Sequence, residues 1–383
     1  MRICIIYDCL YPWTVGGAER WLRGLAETFA SAGHSVTYLT RLQWPDDAPP
    51  QVNGVEIVAV AARDSLYKRS GSRRMLPPLK FGLGVFLHLI RHRREYDVLH
   101  LCSFPYFALL GARAAMLGSR VRIGVDWFEV WSRAYWNQYL GSLGFVGYRI
   151  QRFCIRLTPL AFVFSRLHGE RLIAEGFRGI AVRLSGLYQD SRGGKKETTD
   201  QAAIDEMVLY VGRHIPEKNV PSLVQAIVEA RKVHPRLKGR ILGDGPTRRE
   251  VLESIQREDA TQYIDAPGFI EISAVEQATR TASCLVLPSS REGYGLVVIE
   301  ACAAGTPVVV VAGADNAAAE LVEEGVNGYV AVSAEPGVLA EAIGRCIESG
   351  ERLRTSTRHW FEANAHRLSS RESAQRVLDQ YSQ

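Results

Sequence analysis

The feature that most constrains the fold of this chain is a repeated alternation of short apolar runs with longer segments of helical spacing. Residues 2–8 form the first apolar run, and a loop over 9–16 follows it. Apolar residues then recur at the spacing of a helix: Trp21, Leu22, Leu25, Ala26, Phe29 and Ala30. Gly33 ends this helix, and residues 35–40 supply the next strand. Such a β-loop-α-β unit is typical of a parallel sheet covered by helices.

The alternation continues along both halves of the chain. Further strands are predicted at 55–60, 98–101, 121–125 and 161–164, and in the second half at 207–211, 240–242, 284–287 and 307–311. Helices of the second half are predicted from Asn219, Thr247 and about Gly295. With 383 residues the chain exceeds one domain of roughly 100–200 residues. We therefore expect two Rossmann-like, doubly wound α/β domains that face each other across a cleft.

A polar stretch sets the expected domain boundary. Residues 189–206 carry a Gly-Gly and a Lys-Lys pair and few apolar residues, which is typical of a linker. The predicted domains are therefore 1–188 and 207–350. Residues 351–383 are charged and helical in pattern, and we expect helices that pack across the domains.

Composition excludes several classes of protein. The chain is 47% hydrophobic and 23% charged, which excludes disordered, collagen-like and disulfide-scaffold proteins. Its longest apolar run, residues 81–90, is shorter than the about 20 residues of a membrane span. The N-terminus lacks the features of a signal peptide, so we expect a cytoplasmic protein. Seven scattered cysteines indicate reduced, buried thiols rather than a zinc ribbon.

The net charge of +5 is only mildly basic and does not indicate a nucleic-acid partner. One stretch, however, concentrates basic residues around the apolar run 81–90: Arg63, Lys68, Arg69, Arg73, Arg74, Lys80, Arg91, Arg93 and Arg94. Two interpretations stay open. The stretch is either a solvated helix face or a patch that attracts an anionic lipid or substrate, which would place the protein at the inner face of the membrane.

Residues 288–307 carry the most informative motif. A strand ends at Pro288, a glycine-bearing loop holds Glu292, and the helix from about Gly295 carries Glu300. If the whole stretch were helical, the two carboxylates would be about 12 Å apart, which suits a hexose and a ribose joined by a diphosphate. The backbone amides at the helix N-terminus are suited to the phosphates: Gly293, Tyr294, Gly295 and Leu296. Alternatively, Glu292 only pairs with the helix dipole, and Glu300 is a solvated helix residue.

Two further segments fall where predicted strands end. In residues 212–219, Arg213 and Lys218 flank a turn, so both cations can converge on a departing diphosphate. Alternatively, Lys218 is a solvated loop residue and Arg213 forms a salt bridge. Gly16 and Gly17 end the first loop, where small residues let the backbone approach a ligand closely. Residues 243–246, Gly-Asp-Gly-Pro, predict first of all a tight strand-to-helix turn.

The order of four motifs resembles the family 4 retaining glycosyltransferases of the GT-B fold along nearly the whole chain. These motifs are GGAER, VGRHIPEKNVPSLVQA, GDGP and PSSREGYGLVVIEACAAGTPVVV. The resemblance implies an enzyme that transfers a sugar from a nucleotide-diphosphate donor, with retention of configuration and without a cofactor or metal. It implies an acceptor-side domain first and a nucleotide-sugar-binding domain second. Arg213 and Lys218 then fall at the diphosphate, Glu292 at the sugar hydroxyls, Glu300 at the ribose, and Gly16 and Gly17 in the glycine loop.

One position departs from the family. Many members carry a histidine near the anomeric carbon, and by spacing it falls on Asp126 or Phe128, neither of which is histidine. Residues 126–148 are rich in aromatic side chains, and Trp131, Tyr135 and Tyr139 recur at a spacing of four. This stripe is either packed or an acceptor-binding wall. In the second case Asp126, Trp127 and Glu129 would contact the acceptor.

Other chemistries lack their motifs. His88 and His92 have no evident third ligand, so no metal site is predicted, and the D-x-D pair of metal-dependent glycosyltransferases is absent from the sequence. We expect a nucleotide sugar as donor and a small-molecule, saccharide or lipid acceptor. Two alternatives stay open at this point: a nucleotide-sugar 2-epimerase and a non-catalytic nucleotide-sugar-binding protein.

Overall fold

The computed structural model describes residues 1–45, 48, 50–64, 74, 76–189 and 205–383. The chain divides into two units: unit 1 comprises Met1–Gln189 and Ser369–Gln383, and unit 2 comprises Asp190–Leu368. Each unit carries a parallel sheet with helices, which confirms the prediction of two α/β domains. Most of the predicted linker, residues 190–204, lies outside the described residues.

Unit 1 holds a sheet of seven strands among the residues described. They are β1 (Arg2–Ile6), β2 (Ser35–Arg41), β3 (Val55–Ala61), β4 (Val98–Cys102), β5 (Arg122–Trp127), β6 (Leu160–Val163) and β7 (Ile180–Arg183). All neighbours pair in parallel, in the order β3-β2-β1-β4-β5-β6-β7. The order reverses between β1 and β4, as in a doubly wound sheet. Residues 3–6 of β1 are fully buried, as expected for a central strand with both faces covered.

The helices of unit 1 connect these strands. They are α1 (Gly17–Ser31), α2 (Leu76–Arg91), α3 (Phe107–Ala115), α4 (Arg133–Leu140), α5 (Gly144–Leu157) and α6 (Arg166–Ala174). Helix α1 buries Trp21, Leu22, Leu25 and Phe29, which confirms the helical spacing seen in the sequence. Side chains of α2, α3 and α5 share one hydrophobic core with β1, β4, β5 and β6.

Unit 2 repeats this plan. Its strands, β8 to β15 in chain order, are Asp205–Val211, Lys238–Leu242, Ile264–Gly268, Ala282–Leu287, Arg291–Glu292, Val308–Val311, Asp315–Asn316 and Gly328–Ala331. The main sheet has the parallel order β10-β9-β8-β11-β13-β15, and the short strands β12 and β14 pair separately. Strand β11 lies beside β8, so the loops that follow these two strands meet at one edge of the sheet.

The helices of unit 2 are α7 (Val220–Arg231), α8 (Arg248–Arg257), α9 (Ile272–Thr281), α10 (Leu296–Ala303) and α11 (Pro336–Leu368). Helix α11 breaks at Gly350, where φ is 49°. The final helix, α12 (Ser370–Ser382), belongs to unit 1 and lies against α1. The C-terminal block predicted at 351–383 is therefore shared between the units.

Candidate functional site

The edge of the unit 2 sheet brings two distant loops together. Lys218, in a short 3₁₀ turn after β8, forms an ion pair with Glu292, which follows β11. Ser289 donates a hydrogen bond of 2.7 Å to the same carboxylate oxygen, Oε1. Residues that are 74 positions apart in sequence thus form one charged cluster.

A second set of contacts joins the same two loops. Nη2 of Arg291 lies 3.3 Å from Oε1 of Glu217, and the backbone N–H of Ser290 donates to the Glu217 carbonyl at 2.9 Å. Burial lowers the pKa of Arg291 to about 10, although Glu292 and Asp315 act in the opposite direction. The guanidinium therefore remains charged at neutral pH. Two adjacent ion pairs hold the loop after β8 against the loop after β11.

The backbone around Glu292 is itself fixed. Strand β12 pairs in parallel with β14, which sets Glu292 opposite Asn316. The buried amide of Asn316 donates to the carbonyls of Ser289 and Val311, each at 2.8 Å. Glu292 therefore lies in a short strand, where the sequence predicted a loop, and its position depends on pairing with β14.

The segment between the two glutamates is not wholly helical. Gly295 has φ 97° and ψ 51°, and α10 begins only at Leu296. A Cβ at Gly295 would lie 2.7 Å from the Cβ of Ala318, so this position requires glycine in both conformation and space. The predicted helix start is confirmed, but residues 292–295 do not rise as a helix, so the condition on which the 12 Å estimate rested is not met. Gly293 and Tyr294 are buried beside the helix start, and Glu300 is half-buried in α10.

Arg213 and His214 follow β8 directly but differ in environment. The Arg213 side chain is exposed, and its carbonyl accepts a 2.9 Å hydrogen bond from the Tyr210 hydroxyl. His214 is fully buried, and burial lowers its pKa, with a further lowering by Arg248 that Asp244 opposes. His214 is therefore neutral at pH 7. The positive charges of this loop belong to Arg213 and Lys218.

The Gly-Asp-Gly-Pro segment forms the tight turn that the sequence predicted. Gly243 has φ 117° and Gly245 has φ 157°. A side chain at Gly243 would collide with the Gly212 carbonyl, and one at Gly245 with the His214 carbonyl. The backbone N–H of His214 also donates to the Asp244 carbonyl at 2.9 Å. This turn supports the loop that carries Arg213.

In unit 1, the glycine pair lies where α1 begins. Gly16 is extended and precedes the helix, and Gly17 is its first residue. A side chain at Gly16 would meet the carboxylate of Glu19, whereas Gly17 has open space around it. Glu19 is 9% exposed and lies 3.5 Å from the Tyr7 hydroxyl.

The structure corrects the predicted contacts of Asp126 and Trp127 with an acceptor. Asp126 is fully buried in β5, where its Oδ2 accepts a 2.7 Å hydrogen bond from Nε1 of Trp21 and lies 3.0 Å from Nε2 of His100. The other ring nitrogen of His100 lies 2.7 Å from the hydroxyl of Tyr381 on α12. Trp127 is fully buried in the core. Neither side chain is available to a ligand, because neighbours within unit 1 enclose both.

The aromatic stripe is packed, both against itself and against the core of unit 1. The Trp131 ring lies 4.9 Å from that of Tyr135 and 5.2 Å from that of Tyr139. Nε1 of Trp131 donates a 2.6 Å hydrogen bond to Glu129, which is half-buried. Phe128, the other position at which the family histidine would fall, stacks on Phe164 at 4.2 Å. Glu129 keeps partial access to solvent, and its contact with an acceptor stays a prediction.

The described residues contain no cluster of three or more His, Cys, Asp or Glu side chains that could hold a metal ion. All seven cysteines are free and buried, as expected from their scattered positions. No helix in the described part of the chain is long and apolar enough to cross a membrane.

Two family models match the chain. Residues 195–367 match the model described as glycosyl transferases group 1, and residues 16–184 match the one described as glycosyl transferase 4-like domain. The chain is a glycosyltransferase of the GT-B fold. The prediction of a transferring enzyme of class EC 2.4 is thereby confirmed.

Individual proteins agree with this assignment. Glycogen synthase from Mycobacterium tuberculosis is 26% identical over 88% of this glycosyltransferase and 83% of its own length. Sucrose-phosphate synthase from Thermosynechococcus elongatus superimposes with a TM-score of 0.79 at 18% identity, covering 99% of this chain and 98% of that one. Anabaena Alr3699/HepE in complex with UDP-glucose gives 0.76 at 19% identity, covering 100% and 99%. These relatives give no support to the epimerase or to the non-catalytic binder.

Proposed function

We propose that this glycosyltransferase is a retaining, metal-independent enzyme of family 4 that moves a sugar from a nucleotide-diphosphate sugar to an acceptor hydroxyl. The observation that carries the proposal is the ion pair between Lys218 and Glu292 at the edge of the unit 2 sheet. The two charges neutralise each other. A donor that offers its diphosphate to Lys218 and its sugar hydroxyls to Glu292 satisfies both at once.

Other groups around this pair complete the proposed donor site. The amides of Gly293, Tyr294, Gly295 and Leu296 surround the start of α10, where the helix dipole favours phosphate. Exposed Arg213 contributes a second positive charge, and Glu300 contacts the ribose. For Gly16 and Gly17, at the start of α1 in unit 1, contact with a donor stays a prediction from the resemblance. UDP-glucose in the HepE complex is a nucleotide sugar of the kind proposed.

The proposed chemistry is a front-face substitution. The bond between the anomeric carbon and the diphosphate oxygen breaks, and its electron pair leaves with the diphosphate. The acceptor oxygen forms the new bond on the same face of the sugar, and its proton passes to the departing oxygen. Arg213 and Lys218 stabilise the charge that develops on the diphosphate. No side chain has to act as a nucleophile.

The acceptor is a small molecule, a saccharide or a lipid. With Asp126 and Trp127 enclosed in unit 1, Glu129 is the carboxylate that we propose orients the acceptor hydroxyl. A lipid acceptor would bring the enzyme to a membrane surface.

The experiment that tests the proposal is incubation with a panel of nucleotide sugars, with and without candidate acceptors. The proposal expects release of nucleoside diphosphate that depends on the acceptor, and a product with the anomeric configuration of the donor. The reaction should also survive excess chelator. Release without any acceptor, an inverted product, or activity that magnesium or manganese restores after chelation would contradict it.

A further inference from the structure

Helix α2 carries a continuous row of exposed apolar side chains. Five residues along its length are between 42% and 59% exposed: Leu76, Leu79, Leu83, Leu87 and Ile90. At 3.6 residues per turn they fall within an arc of about 80°. The row therefore runs along one side of a helix about 24 Å long.

The opposite side of α2 already supplies the packing that the fold requires. Phe81, Val85 and Leu89 are fully buried in the core that α2 shares with the sheet. Gly82 and Gly84 let the helix approach its neighbours, because a Cβ at Gly82 would lie 2.6 Å from the Phe107 carbonyl and one at Gly84 would collide with that of Val60. The exposed row is thus additional to the core of unit 1.

The charges around the row are predominantly basic. Helix α2 contains no acidic residue, and its exposed Lys80 and Arg91 border the row on one side. Arg93 and Arg94 follow the helix and are exposed. Lys80 pairs with Asp64 at 2.9 Å, which leaves its charge partly compensated. The basic residues Lys68, Arg69 and Arg73 of the same stretch lie outside the described residues.

A second helix on the same side of the sheet has the same character. Helix α5 buries Cys154 and Ile155 in the core that also holds Phe81 and Val85. Its outer side exposes the apolar residues Phe145, Val146 and Phe153 and the basic residues Arg149 and Arg156. Apolar and basic side chains therefore recur together on the two helices.

We propose that the outer face of α2 docks on an anionic lipid bilayer. The apolar row would enter the boundary between headgroups and acyl chains, with the helix lying in the plane of the membrane and the basic residues on lipid phosphates. Charge distinguishes this partner from a second copy of the chain. Two copies joined symmetrically through this face would bring their basic residues together, whereas an anionic bilayer neutralises them. The inference is independent of the donor chemistry.

The test is flotation of the full chain with vesicles of phosphatidylcholine, alone or mixed with phosphatidylglycerol. The wild-type chain should float with the mixed vesicles and be released as salt rises. The double variant Leu83→Gln/Leu87→Gln replaces two apolar side chains that lie outside the core. Its affinity for the mixed vesicles should be lower than that of the wild type by a factor of about ten or more. Ile173→Gln/Val233→Gln, at residues 61% and 71% exposed elsewhere, is the matched control and should bind like wild type.

Three results would overturn the proposal. These are no flotation of the wild type at low salt, flotation of Leu83→Gln/Leu87→Gln equal to wild type, and a wild-type dimer in ultracentrifugation that the same variant converts to monomer. The last result would show that a second copy covers the row. Turnover with a water-soluble acceptor should be equal in wild type and variant, which separates failure of docking from failure of the proposed function.

Discussion

Titratable side chains meet in both units, but their environments differ. In unit 2, Lys218 and Glu292 lie beyond the ends of β8 and β11, in a 3₁₀ turn and in the short strand β12, and their side chains are 19% and 10% exposed. Asp126 and His100 lie within strands of unit 1 and are fully buried. We expect a pair enclosed within neighbouring strands to serve the fold, and a pair beyond the strand ends to keep access to a ligand. Mutation can test whether this distinction holds.

Lys218→Ala should have the largest effect on catalysis. Removing one electrostatic donor that acts on the developing diphosphate charge should lower kcat by about 10² or more. Steady-state kinetics on folded protein measure this change. Lys232→Ala, at an exposed ion pair with Glu229 in the same unit, is the control and should leave kcat unchanged. Unaltered turnover of Lys218→Ala would remove the lysine from the proposed site.

Asp126→Asn should affect stability instead. The amide keeps an acceptor for Trp21 but loses the charge that faces His100, so the free energy of unfolding should fall by about 2 kcal/mol. Denaturant unfolding measures the loss. Kinetic constants per folded molecule should stay within about threefold of wild type, because Asp126 is out of reach of ligand. A large fall in kcat with unchanged stability would contradict the structural role assigned to Asp126.

Arg291→Gln should have a smaller effect on catalysis, since Arg291 positions the pair and has no proposed contact with the donor. Loss of the contact with Glu217 loosens the loop after β8 against the loop after β11. As a result, kcat/KM should fall about tenfold, which corresponds to about 1.4 kcal/mol of activation free energy. Arg291→Lys keeps the positive charge and should recover part of the lost kcat/KM. A residue that only filled space would not require this recovery. Arg249→Gln, at an exposed pair in α8, is the control. Equal kinetics for Arg291→Gln and Arg249→Gln would contradict the positioning role.

Much of the fold was predictable because buried parallel strands have strong patterns. Residues 3–6 of β1 and 284–287 of β11 are continuous apolar runs, and glycine turns mark the ends of helices. Strands β7, β10 and β15 were missed, as were the two-residue strands β12 and β14. Three of four residues in β7 are exposed, and β10 contains Pro267, so neither has the apolar signature of a central strand.

The site was predictable only in part. Motif order indicated Lys218 and Glu292, and the structure pairs them, but spacing could not reveal that Glu292 depends on Asn316 or that Arg291 reaches Glu217. The burial of Asp126 was unpredictable for the same reason. Its hydrogen-bond partner Trp21 lies near one end of the chain, and Tyr381, which contacts Asp126's neighbour His100, lies near the other, so only the folded sheet brings them together.

The most direct test of the central claim is calorimetric binding of a nucleoside diphosphate, taken from the preferred donor, to Glu292→Gln and Glu300→Gln. If Glu300 contacts the ribose and Glu292 the sugar, the diphosphate should bind about tenfold more weakly to Glu300→Gln, whose main kinetic defect should be a raised donor KM. Its affinity for Glu292→Gln should be unchanged or higher, because Lys218 loses its competing partner, while kcat falls. An equal loss of diphosphate affinity in both folded variants would contradict the account.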